Sequence, residues 1–105
     1  MTLSIIDLGA NAGVAHYALR GALTIESAAA AFAEGLAGLA KLARGGRCDF
    51  DCSGIDSGDS TGLAVLIEWK AEAYRRGLQL SYAKLPASLA RLARLSDVES
   101  LLITA

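Results

Sequence analysis

Residues 49–66, DFDCSGIDSGDSTGLAVL, carry four aspartates and four serine or threonine hydroxyls before the chain turns apolar. Carboxylates and hydroxyls at this density fit three chemistries: a cation loop, a phosphate-transfer centre, or a turn that launches a helix. Asp49, Asp51, Ser53 and Gly54 match the first six places of a calcium loop, D-x-D-x-[DNS]-G. The twelfth place, however, needs a bidentate Glu and holds Ser60, and the eighth, normally apolar, holds Asp56. The residues ahead of this stretch also read as a strand rather than as an entering helix.

Phosphate-transfer chemistry through the pair Asp49 and Asp51 requires a nucleophile at the end of an apolar strand, a Mg²⁺ site and a Lys. The preceding RGGRC is not such a strand, and a chain of this length has no room for the further motif loops. A serine nucleophile requires a positioned base. His16 is the single histidine and falls in an expected strand, DSTGL is not G-x-S-x-G, and no G-x-x-x-x-G-K-[ST] loop occurs. The case for an enzyme is weak, and neither cofactor nor metal is expected.

What remains is a strand-to-helix turn. Asp59 or Ser60 is suited to the N-cap, where a side-chain oxygen accepts from an unpaired backbone N–H. Leu63 stands three past Ser60, so no capping box follows. A hydroxyl at the positive end of a helix accommodates a phosphate, whereas the neighbouring Asp59 repels one. Such a pair has the ingredients of a switch.

The rest of the chain must position this turn. Its 105 residues, 53% of them hydrophobic, make one domain (1–105) with a real core. Ten Lys and Arg balance eleven Asp and Glu, and aromatic residues are 6% of the chain, which argues against nucleic acid as the main partner. No apolar run reaches the roughly 20 residues of a membrane span. MTLSIIDLGANAG lacks the features of a signal peptide, so the cytoplasm is the expected location. Cys48 and Cys52 have neither zinc-ligand spacing nor a disulfide framework, and are expected as buried, reduced thiols.

Residues 3–8 and 14–21 read as strands joined by a hairpin turn at NAG, and residues 26–44 as an Ala-rich helix with a Phe32, Leu36, Leu39, Ala43 stripe. CDFDC alternates, with Cys48, Phe50 and Cys52 on one face and Asp49 and Asp51 on the other. A second helix runs from about Thr61 to Arg76 and stops at Gly77. Residues 78–85 form a strand, Pro86 opens a third helix with Leu89, Leu92 and Leu95 inward, and SLLITA closes the chain as a strand or extended tail. Strands separated by helices require crossovers, which gives a small α/β sandwich.

DSTGLAVL (59–66) resembles the signature of STAS domains, the sulphate-transporter and anti-sigma-factor-antagonist module, in which D-[ST]-[STG]-G-L opens the second helix. ALRGALT (18–24), FDCSGI (50–55) and residues 74–102 resemble the segments around it, so the resemblance covers most of the chain. It implies a mixed sheet covered by about three to four helices and a binding protein without catalysis of its own.

TGLAVLIEWKAEAYRRG resembles most the lipid asymmetry maintenance (MlaB-like) branch, whose small cytoplasmic subunits bind the ATPase of a phospholipid-transporting ABC complex at the inner membrane. The alternative branch is the anti-sigma factor antagonists, whose partner is a kinase that phosphorylates the turn. Carried over, the resemblance puts Ser60 at the partner-binding or phosphorylated hydroxyl and Asp59 at its acidic neighbour, with Thr61 and Gly62 completing the turn. Two residues depart from the pattern: Gly58, which implies a looser turn, and Asp49, which implies either a different start to its strand or a position that faces solvent.

On the second helix Leu63, Leu66, Ile67 and Tyr74 form the expected core stripe, and Trp69 lies on its flank with Ala73 and Arg76. Trp69 is either an interface anchor or a tryptophan half-buried at the core edge. Arg75 and Arg76 suit the helix C-terminus and need no partner. Three functions follow: a subunit that binds the ABC ATPase, a phospho-switched antagonist, and an enzyme with a metal at Asp49, Asp51 and Asp56 as the control.

Overall fold

A computed structural model describes residues 2–103. Eight elements follow in chain order: β1 (Leu3–Asn11), β2 (Val14–Leu23), α1 (Ala28–Ala40), β3 (Arg47–Gly58), α2 (Ser60–Arg75), β4 (Gln79–Ala83), α3 (Ala87–Leu95) and α4 (Glu99–Ile103). The strands form one mixed sheet in the order β1-β2-β3-β4, antiparallel between β1 and β2 and parallel thereafter.

Each connection has a local cause. Asn11 pairs with Val14, so Ala12 and Gly13 form a two-residue hairpin loop, and both have the positive φ that such a turn demands. The β2–α1–β3 and β3–α2–β4 crossovers advance in the same direction across the sheet. With the usual right-handed crossover both helices land on one face, and α1 indeed packs on α2. The other face carries His16, Asp49, Asp51 and Ser81, as the alternation in CDFDC requires. Asp49 does face outward, where it accepts a hydrogen bond from the Ser81 hydroxyl at 2.9 Å.

Phe50 is the hub of the core. Its ring meets Tyr17 and Trp69 edge-on at 5.6 and 5.4 Å and Tyr82 at 6.0 Å. Tyr82 donates to the Leu66 carbonyl at 2.6 Å, fastening β4 to the middle of α2. Cys48 and Cys52 are buried free thiols, each pushed up to about 12 by burial first of all.

Several expectations need correction. The buried residues of α1 are Ala28, Ala31, Gly35 and Leu39; Phe32 and Leu36 sit on the flank, and Ala43 lies past the helix and is exposed. Small residues line the contact because the Trp69 indole fills that space: a Cβ on Gly35 would fall on its ring. In α2 the buried set is Gly62, Leu63, Val65, Leu66, Trp69 and Ala73, while Tyr74 is 86% exposed. That helix touches α1, α3 and α4 as well as the sheet, so its buried arc is wider than one stripe. Leu95 of α3 is 79% exposed rather than inward, and Ala93 is buried in its place. The stretch expected as a closing strand forms α4, which buries Leu102; residues 104–105 of that stretch lie outside the described residues.

Candidate functional site

The turn at residues 58–62 is built by three elements: the exit of β3, the first turn of α2 and the β2–α1 loop. Asp59, not Ser60, is the N-cap of α2. It has extended backbone, and its Oδ1 accepts from the Gly62 N–H at 2.9 Å. Its Oδ2 accepts from the Ile25 N–H at 3.0 Å. One carboxylate thus closes the helix start and ties down a loop 34 residues earlier in the chain. The Gly62 N–H bond, followed by the bond from Ile25, holds the Asp59 carboxyl below its ordinary range.

Gly62 is set by close approach. A Cβ there would collide with the Leu23 carbonyl, so only glycine lets the first turn of α2 rest on the end of β2. Gly58 is likewise tight and does not loosen the turn: an added Cβ would meet the Leu89 side chain at 2.7 Å. In the β2–α1 loop the buried Ser27 hydroxyl donates to the Ala22 carbonyl at 2.7 Å and accepts from the Thr24 N–H at 3.1 Å. Beneath this loop Thr24 Oγ1 is buried without a hydrogen-bond partner among the described residues.

On this scaffold Ser60 is the first residue of α2 and is exposed, with its carboxylate neighbour already engaged by backbone. Thr61 is half-buried. Asp59, Ser60, Thr61 and Gly62 are therefore together, but Trp69 is not with them. Trp69 is 0% exposed, and its Nε1–H donates to the Phe32 carbonyl at 3.2 Å. It belongs to the core, so the surface-anchor reading fails, because a partner would have to unfold the α1–α2 contact to reach it.

The residues weighed for other chemistry do not converge. The would-be calcium loop is occupied by strand as far as Gly58, and no three His, Cys, Asp or Glu side chains group as metal ligands among the described residues. Asp51 accepts from the Ser53 N–H at 2.9 Å, and Asp56 from the Ser57 hydroxyl at 3.3 Å. The Ser53 N–H bond is also the main reason the Asp51 carboxyl lies below its ordinary range. On the uncovered sheet face a cleft of about 240 Å³ is lined by His16, Asp49 and Ser81 among others. Asp49 stands between the other two: Ser81 Oγ donates to its Oδ1, and His16 Nδ1 lies 3.7 Å from its Oδ2. A serine nucleophile needs the imidazole against the hydroxyl, which this order does not give.

Ile25 is the site residue that the sequence reading missed. It is 71% exposed, directly bound to Asp59 through its N–H. It falls between the expected strand 14–21 and the expected helix 26–44, and its position becomes visible only through the tether.

The fold and site define a small α/β module that offers a hydroxyl-bearing helix start flanked by a carboxylate. The family model described as "Mlab, STAS domain" matches residues 6–104, and the chain belongs to the STAS domain family. STAS domains are small protein-interaction modules and generally regulatory rather than catalytic. No curated protein matches the chain.

Among solved structures, the murine anion transporter Slc26a9 in its inward-facing state matches with a TM-score of 0.65 at 17% identity, over 84% of this chain and 14% of that one. A second SLC26A9 structure gives 0.64 at 14% identity, over 82% of this chain and 16% of that one. The chain thus spans about one-sixth or less of those transporters. The anti-sigma factor antagonist SpoIIAA in its unphosphorylated form matches with a TM-score of 0.62 at 10% identity, over 88% of this chain and 83% of that one. At these identities the likeness is one of fold. No helix among the described residues is long and apolar enough to cross a membrane.

Proposed function

We propose that this chain is a non-catalytic subunit that binds and regulates the ATPase of a phospholipid-transporting ABC complex. It would work in the cytoplasm, at the inner membrane through that partner. The observation that carries the reading is the exposed Ser60 hydroxyl on the first turn of α2, beside a carboxylate fixed by two backbone N–H groups. The match to the lipid-maintenance family model supports the choice of partner. Ser60, Asp59, Thr61 and Gly62 form the contact, with Asp59 and Gly62 shaping it and Ser60 meeting the ATPase. No chemistry occurs at this turn: binding alone biases the ATPase.

Co-expression with the ATPase subunit of the same cell's phospholipid transporter should give a stable complex that Ser60→Glu weakens. Recovery of both wild type and Ser60→Glu alone would overturn the reading. A phospho-switched anti-sigma factor antagonist is the second reading, favoured by the accessibility of Ser60 and the fold shared with SpoIIAA. It expects one added phosphate, on Ser60, in the intact mass after incubation with a cognate kinase; an unchanged mass counts against it.

A further inference from the structure

Single exposed apolar side chains are ordinary, so exposure alone marks nothing. Tyr74 and Leu95 are more exposed than Ile25, and they lie at the far end of α2 and at the end of α3. Ile25 differs in how its backbone is held. Its N–H is fixed by Asp59 Oδ2, and the loop that carries it is closed on one side by the Ser27 hydroxyl and on the other by the Ser27 N–H bond to the Thr24 carbonyl at 3.0 Å. A bulky aliphatic group is thereby held out near the Asp59 cap on a loop that has little freedom left to lose. That is the arrangement in which an anchor contributes most to binding, since its ordering cost is met in the free protein.

The segments that carry the loop and the turn are acidic in their charge. No Lys or Arg occurs in residues 21–40, which span the loop and α1, or in residues 48–69, which span most of β3 and the first half of α2. Glu26 beside Ile25 and Asp56 near the β3 exit are exposed acids, and Asp59 is the tether itself. A surface of this kind fits an apolar socket rimmed by Arg or Lys.

We infer that Ile25 is the apolar anchor of the partner interface, seated by the Asp59 tether, and that the ATPase receives it in an apolar socket with a basic rim. The inference rests on the proposed function above and names a residue and a partner chemistry that the function does not require. Because most of the side chain is already in water, changing it leaves the fold intact.

The test is the affinity of the co-expressed ATPase subunit for wild type, Ile25→Ala, Ile25→Leu and, on β1, Leu8→Ala, which truncates another exposed aliphatic side chain. Ile25→Ala should bind about tenfold more weakly while melting within about 2 °C of wild type, and Ile25→Leu should recover most of the loss. Leu8→Ala should bind as wild type does. Raising the ionic strength from about 0.01 to about 0.15 M, which cuts the screening length from roughly 30 to roughly 8 Å, should weaken wild type and Ile25→Leu alike. Ile25→Ala binding within about twofold of wild type, or Leu8→Ala losing as much, removes the anchor but leaves the subunit reading standing. Salt-independent binding removes the basic rim. Wild type that captures no ATPase overturns the subunit reading and the anchor with it.

Discussion

Replacing Asp59 by Ala removes the N-cap of α2 and the tether to Ile25 in one step. The cap bond to the Gly62 N–H is of the kind whose loss costs about 1 kcal/mol. The bond from the Ile25 N–H is charge-assisted but lies at a partly wet surface, so about 1 kcal/mol is the share to expect for it. The sum, about 2 kcal/mol, corresponds in a domain of this size to a fall in Tm of roughly 8 °C. Asp59→Asn retains one oxygen to cap the helix and turns the other position into a donor facing a donor, so it should lose about half as much.

The pH dependence separates the charge from the geometry. Folding lowers the Asp59 carboxyl below its ordinary value of 3.8, so its contribution is complete above that value and disappears as pH falls through the folded one. Differential scanning calorimetry of wild type and Asp59→Asn from neutral pH into the acid range should show the gap closing below pH 3.8. Asp51 also titrates low, so both proteins lose stability there, but only the gap reports on Asp59. An Asp59→Ala protein melting within about 2 °C of wild type at neutral pH would refute the reasoning, because it would mean that neither bond matters in water.

Three other outcomes follow from the packing. Gly35→Ala should cost about 1–3 kcal/mol and shift tryptophan emission, because the new methyl competes with the Trp69 indole; an unchanged melt and spectrum would mean that α1 yields freely. Thr24→Val should raise Tm by roughly 4 °C, since it swaps a buried hydroxyl without a partner among the described residues for a methyl of like shape; a lower Tm would reveal a hydrogen bond to that hydroxyl. Cys48 and Cys52 should resist a thiol reagent at pH 8 until guanidinium unfolds the chain, since burial raises both to about 12; rapid labelling of the native protein would contradict their burial.

How far the sequence reveals this molecule depends on whether the cause is local. CDFDC alternates, and its faces fall as the pattern says; the turn before α2 is spelled by residues adjacent in the chain. Trp69 escapes that logic because its burial is decided by Gly35 and Phe32, on another helix. The SLLITA run has no period long enough to choose between strand and helix, and the choice is made by Leu102 reaching the core. Of the site, Asp59, Ser60, Thr61 and Gly62 were legible as a turn, but the role of Gly62 belongs to the Leu23 carbonyl. Ile25 needed the tether across 34 residues to stand out.

The pairing of β2 with β3 is interrupted twice, between Ala18 and Arg20 and between Gly21 and Ala22. Below the breaks lie Val14–Ala18 against Arg47–Asp51, locked into the aromatic core; above them lie only Ala22 and Leu23 against Ser57 and Gly58. The β2–α1 loop and the turn before α2 grow from that upper piece. The breaks interrupt the ladder, so the upper piece is held less by pairing with β3 than by the Ser27 hydroxyl on the Ala22 carbonyl and by Gly62 seated against the Leu23 carbonyl. The rigidity of this end is therefore set by the loop and the helix cap rather than by the sheet.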